Sequence, residues 1–188
     1  MFIQTEATPN PSTLKFLPGR EVLAGEPCEF RDPAEAAISP LGEELFQISG
    51  VTGVFLGSDF ISVTKDEADW SHIKPAILGA IMEHFLSGKP IINEGADQNL
   101  QNSEEEFFDE ADAEMVEVIK ELLDTRVRPA VAMDGGDIIF RGFKQGVVFL
   151  KMQGACAGCP SSTATLKNGI ENLLRHFVPG VEEVRQTV

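Results

Sequence analysis

The sequence predicts an α+β protein in which two small α+β domains are joined by an acidic flexible linker. Three observations lead there. Short runs rich in β-branched residues, punctuated by Gly and Pro, alternate with segments whose apolar residues recur at helical spacing. The 188-residue chain has a net charge of −15, and residues 93–114 alone carry nine acidic groups and no basic one. That stretch, NEGADQNLQNSEEEFFDEADAE, has one apolar pair, Phe107-Phe108, and buries too little surface to offset the entropy of ordering. The division is therefore a domain over 1–92, a linker over 93–114 spanning about 25 Å as a random coil, and a domain over 115–188.

In the first domain, Met1–Thr5 and Thr13–Leu17 read as antiparallel strands around the turn cluster Ala7-Thr8-Pro9-Asn10-Pro11-Ser12. Residues 19–40 read as mostly irregular. Leu41, Leu45 and Ile48 give a short helix over Pro40–Ile48. Val51–Leu56 and Phe60–Thr64 flank Gly57-Ser58-Asp59 as a β-hairpin. Trp70, Ile73, Ile77, Ile81 and Phe85 share one helix face, and Gly88 with Pro90 ends that helix. The expectation is about four strands and two helices. His84 falls beside this apolar stripe and reads as a packed, hydrogen-bonded histidine, whereas His72, in the first turn, reads as surface. Cys28 falls in the polar run Gly25-Glu26-Pro27-Cys28-Glu29, where two glutamates disfavour a reactive thiolate.

The second domain reads in the order α-β-β-α-β. Met115, Val118, Ile119, Leu122 and Leu123 share a helix face, and Arg128-Pro129 ends that segment. Met133-Asp134-Gly135-Gly136-Asp137 is a turn. Ile138–Gly142 and Val147–Gln153 are strands. A helix presenting Leu166, Ile170, Leu173, Leu174 and Phe177 follows, then a short strand within Val181–Val188.

Three cysteines, an odd and low count, exclude a disulfide scaffold. No apolar run is long enough to span a membrane. The acidic balance argues against nucleic-acid binding. MFIQTEATPN shows neither a basic n-region nor an apolar h-region, so no secretory signal or Arg-rich transit peptide is expected, and the chain is expected to be cytoplasmic.

The chemistry concentrates in Gly154-Ala155-Cys156-Ala157-Gly158-Cys159-Pro160-Ser161-Ser162, between a strand and a helix N-terminus. Two residues between cysteines let both sulfurs face one centre, and the helix start favours thiolates. Pro160 suits the first helical position, and Ser161 or Ser162 can cap it. Three readings stand: a dithiol–disulfide pair, half of a zinc site, or half of an iron–sulfur site. Zinc and iron–sulfur centres take about four protein ligands. This domain offers Cys156, Cys159 and the distant His176, so a complete site calls for two chains across a twofold axis. A β-hairpin preceding the motif counts against a thioredoxin-like redox site.

Arg128-Pro129, Asp134-Gly135-Gly136-Asp137, the Gly154–Ser162 run, Thr165-Leu166-Lys167 and Gly169-Ile170-Glu171 together closely resemble the NifU C-terminal domain. Phe2–Pro11, Leu14-Lys15-Phe16 and Pro18-Gly19 resemble the N-terminal domain of Nfu-type proteins. The resemblance covers most of the chain outside the linker. It implies an iron–sulfur scaffold or carrier rather than an enzyme: Cys156 and Cys159 ligate a [4Fe–4S] cluster bridged in a homodimer, with [2Fe–2S] as a transient form. Upstream assembly factors and apo-protein acceptors are the implied partners. The composition of the acidic linker, independently of the resemblance, suggests that it keeps the donor domain mobile. The resemblance assigns no role to Cys28, and Asp134–Asp137 read as a tight turn supporting the sheet.

Overall fold

A computed structural model describes residues 1–96, 105–157 and 160–187, apart from the side chains of residues 160–162. The chain divides into two compact units, Met1–Ser103 and Glu104–Val188, each α+β.

The first unit is a five-stranded antiparallel sheet, in order β1-β2-β5-β4-β3, with two helices. Its strands are β1 (Gln4–Ala7), β2 (Thr13–Leu17), β3 (Cys28–Phe30), β4 (Val51–Leu56) and β5 (Ile61–Lys65). Between β1 and β2, the Asn10 side-chain oxygen accepts from the Ser12 amide at 3.0 Å, an Asx turn that reverses the chain between two prolines. Helix α1 (Pro40–Phe46) starts on Ser39, whose hydroxyl oxygen accepts from the Gly42 amide. Helix α2 (Trp70–Ser87) is capped by Asp69 and ends, as expected, at Gly88, which takes the left-handed conformation at a φ of 70°. Phe16, Phe30, Leu41, Leu45, Leu56, Ile61, Ile77 and Ile81 form the core.

Three expectations for this unit change. There are five strands, because β3 forms inside the stretch read as irregular. Cys28 therefore belongs to a strand, 5% exposed in the core, not to a polar loop. Cys28 and Phe30 point inward and Glu29 outward, but three residues are too few to display a period of two. The first strand also begins three residues later than expected, at Gln4.

In the second unit, helix α3 (Ala113–Leu122) runs through a π-helical turn, Leu123–Val127, into helix α4 (Arg128–Met133). Arg128-Pro129 thus does not end the helical segment. Pro129 sits in the first turn of α4, where a missing N–H costs nothing, and the wide π turn absorbs the change of register. The buried face of α3 is Val116 and Ile119, continued by Leu123 of the π turn; Val118, expected inside, is 43% exposed. Strands β6 (Gly136–Lys144) and β7 (Val147–Gly154) form a hairpin. Gln145 and Gly146, both at positive φ, make its two-residue turn, a geometry that matches strand twist. Helix α5 (Pro160–Phe177) crosses over to β8 (Glu183–Thr187), which joins β7 in parallel, giving the order β6-β7-β8. Ile138, Phe140, Val148, Leu150, Met152, Ile170, Leu174 and Val184 complete the core, while Phe177, expected on the buried face, is 44% exposed under the Arg126 guanidinium.

Part of the acidic segment is ordered at both ends. The Asn93 amide donates to the Ile38 carbonyl, and Phe107 forms a parallel bridge with Gly142 on β6. Phe107 thus adds to a sheet where composition alone suggested a solvated tether. Residues 97–104 lie outside the described residues.

Candidate metal centre

Strand β7 ends at Gly154, whose φ of 67° turns the chain back on itself. The Ala157 amide donates to the Gly154 carbonyl at 3.1 Å, and the Ala155 amide donates across to the Gly135 carbonyl at 3.2 Å. These bonds hold Ala155-Cys156-Ala157 against the turn that starts β6. The Thr163 hydroxyl of α5 donates to the Cys156 carbonyl at 2.8 Å, tying the loop to the following helix. Cys156 is therefore fixed by three elements, β6, β7 and α5.

Gly136 makes the room for its sulfur. A Cβ at that position would stand 2.8 Å from Cys156 Sγ and 2.6 Å from the Gln153 carbonyl oxygen, closer than any side chain tolerates. The preceding Gly135, at φ 82°, permits the tight approach. Cys156 is 6% exposed. Burial pushes its thiol up to about 12, and the Asp134 and Asp137 carboxylates add to that rise. This environment favours the thiol over the thiolate.

The turn is stapled by a charge pair the sequence did not reveal. Arg128 Nε donates to Asp137 Oδ1 at 2.9 Å and Nη2 to Oδ2 at 2.8 Å, a two-pronged fork. Asp137 Oδ1 also accepts from the Ile138 amide at 2.8 Å, and Asp137 is 5% exposed. A third guanidinium nitrogen, Nη1, reaches the exposed Asp124 carboxylate at 3.1 Å. The pair pins the start of α4 to the start of β6, on either side of the glycine cradle. Its two members stand nine residues apart on a helix and a strand, a spacing with no periodic signature. Opposite charges flanking a Gly-Gly turn were the available signal.

Of the predicted ligands, Cys156 takes this position, and Cys159 lies outside the described residues. His176 is exposed at the far end of α5, edge-on to Phe177, roughly 24 Å along the helix from its start. Cys28 belongs to the other unit. Among the described residues, no group of three or more His, Cys, Asp or Glu side chains is arranged to hold a metal ion. A buried sulfur in a cradle that a Cβ would fill suits a soft metal centre that takes thiolate ligands.

Two families match the two units. Residues 3–88 match the family described as scaffold protein Nfu/NifU N terminal, and residues 119–185 match the NifU-like domain. A human protein, the mitochondrial NFU1 iron-sulfur cluster scaffold homolog, is 52% identical over 190 residues, covering 100% of this chain and 72% of its own length. The chain belongs to the Nfu family. The Drosophila sechellia counterpart is also 52% identical, over 99% of this chain and 65% of its own length. A solution structure of a NifU-like protein from Saccharomyces cerevisiae matches 50% of this chain and 86% of its own at 26% identity, with a TM-score of 0.46.

These relatives correct one expectation. Both are mitochondrial proteins, which overturns the cytoplasmic location read from the sequence. That reading leaned on the composition of the first residues, which says nothing of compartment in a chain spanning 72% and 65% of these Nfu relatives.

Proposed function

We propose that this chain is an iron–sulfur cluster scaffold or carrier. Two protomers hold a [4Fe–4S] cargo between their Cys156-x-x-Cys159 loops and pass it to apo-proteins. The observation that carries the reading is the Cys156 sulfur seated in the Gly136 cradle of a chain that belongs to the Nfu family. One protomer supplies two cysteines in the motif, and a cluster takes four, so a twofold pair satisfies the ligand count without any other residue.

Loading costs the chain its thiol protons, because only thiolates ligate. Release is ligand exchange: an acceptor's thiolates replace Cys156 and Cys159 in turn. The Fe–S bonds to Cys156 and Cys159 are traded for Fe–S bonds to the acceptor and the cluster leaves intact, so the activity is that of a carrier and not of an enzyme. A [2Fe–2S] cargo fits the same ligand set as an earlier stage. Acceptors are apo-proteins with cysteine ligands of their own, and assembly factors upstream supply the cluster.

The redox alternative is disfavoured by the elements around the loop. A thioredoxin-like dithiol sits after an early βαβ unit, whereas here the antiparallel β6–β7 hairpin leads into Cys156. Single Cys156→Ser and Cys159→Ser variants test the reading. Each should lose iron and sulfide after reconstitution while keeping the wild-type circular dichroism. A Cys159→Ser variant that instead accumulates a mixed disulfide with a disulfide substrate would favour the redox reading. A wild-type chain that holds zinc tightly and unfolds on chelation would favour a zinc staple.

A further inference from the structure

We infer that the outer edge of β6 is a strand-addition site for an extended partner segment bearing a carboxylate followed by phenylalanine, and that residues 105–108 are its resident, displaceable occupant.

Strand β6 is the outer strand of the three-stranded sheet. Outer strands offer backbone donors and acceptors to any chain of suitable shape. Here the chain's own acidic segment takes them at one residue. The Phe107 amide donates to the Arg141 carbonyl at 3.1 Å, and the Phe143 amide donates to the Phe107 carbonyl at 2.8 Å.

The side chains around that bridge form a selective socket. Its floor is Gly142: a Cβ there would meet the Phe107 ring carbons at 2.5 Å, so the ring lies directly on the glycine backbone. Its wall is Phe149, with ring centroids 5.1 Å apart at 57°. Its post is Lys120 of α3, whose ammonium donates to Glu106 at 2.6 Å and stands 5.7 Å from the Phe140 ring centre. A glycine floor admits a flat ring, and a lysine one residue away selects a carboxylate. The bulge between Phe140 and Gly142 sets this glycine in register with Phe149.

The resident contact is built to yield. It is a single-residue bridge, and Phe107 remains 44% exposed. Tethering supplies what intrinsic affinity lacks, because a short linker holds its ligand at about millimolar effective concentration. Charge works in the same direction: residues 93–114 carry nine acidic groups, whereas residues 115–188 carry eight acidic and nine basic. Gly136, the cradle of Cys156, lies on the same strand, roughly 20 Å from Gly142. A partner segment extending along β6 runs toward the cysteine loop. The inference stands on the edge and its socket and does not depend on what the cysteines hold.

The test uses the full chain and a labelled synthetic peptide of residues 105–111, followed by fluorescence anisotropy. Phe107→Ala empties the socket and should bind the peptide at least tenfold more tightly than wild type does. A peptide whose first phenylalanine is replaced by alanine should bind neither. Gly142→Ala fills the floor, and should keep its fold by circular dichroism yet bind no peptide. Absence of saturable binding to folded Phe107→Ala, or equal binding by it and wild type, overturns the proposal. So does concentration-dependent dimerisation of Phe107→Ala in sedimentation, which would make a second copy the occupant. Should Phe107→Ala fail to fold, amide exchange in wild type decides: the Phe143 amide should exchange at least tenfold faster than that of Leu150, and equal protection overturns displaceability.

Discussion

The two units use buried polar groups in opposite ways. In the first, His84 is fully buried on α2, and its Nδ1 donates to Glu44 at 3.3 Å while Lys89 meets the other Glu44 oxygen at 3.0 Å. Among the described residues the His84 Nε2 has no hydrogen-bond partner, and His84 and Glu44 belong to no group of three or more side chains that could hold a metal ion. That cluster closes a core. In the second, the half-buried Arg128 forks onto the buried Asp137 across a Gly-Gly turn, and the Cys156 sulfur packs against the second of those glycines. The buried polar cluster of the first unit braces its helices, whereas that of the second unit sits beside the cysteine loop.

The largest effect that would sharpen this contrast comes from the cysteines. Cys156→Ser should abolish iron and sulfide retention, whereas Cys28→Ser should leave it unchanged; equal loss in both would erase the distinction between the units. Next is the charge pair. Arg128→Ala leaves the Asp137 carboxylate, 5% exposed, without its fork, and should cost about 3 kcal/mol in urea unfolding of the second unit. Asp124→Ala removes only the exposed partner of Arg128 and should cost under about 0.5 kcal/mol. Similar costs for the two would mean the fork is a surface pair.

Gly136→Ala should come third, destabilising by about 2 kcal/mol, because the new Cβ meets the Gln153 carbonyl at 2.6 Å and backbone has to move. Its distinguishing readout is metal retention, which should fall further than thermal stability does. In the first unit, Glu44→Ala strips the hydrogen bond from buried His84 and should cost about 1 kcal/mol, with no change in bound iron. Iron loss in that variant would contradict the assignment of the two roles.

Much of this was legible in the residues. The hairpin over 51–65, the long helix ending at Gly88 and the strand–loop–helix around Cys156 carry periodic patterns and turn signals long enough to read. His84 was also readable as a packed, hydrogen-bonded core residue, since it lies beside the apolar stripe of α2. What escaped was short or non-local. Strand β3 has three residues. Pro129 looks like a helix stop unless the π turn before it is known. Phe107 looks like an isolated aromatic in an acidic tether until β6 supplies its partner. The Arg128–Asp137 fork joins two elements that only the fold brings together.

The central claim is that two chains share one iron–sulfur centre through their Cys156 and Cys159 loops. Anaerobic purification with iron, sulfide and zinc counted per chain, together with the mass in solution, tests it most directly. With Trp70 as the one tryptophan and no tyrosine, the absorbance of a cluster stands clear of the protein's own. The account predicts a brown dimer with about two irons and two sulfides per chain. A colourless protein that iron and sulfide cannot reconstitute would contradict it.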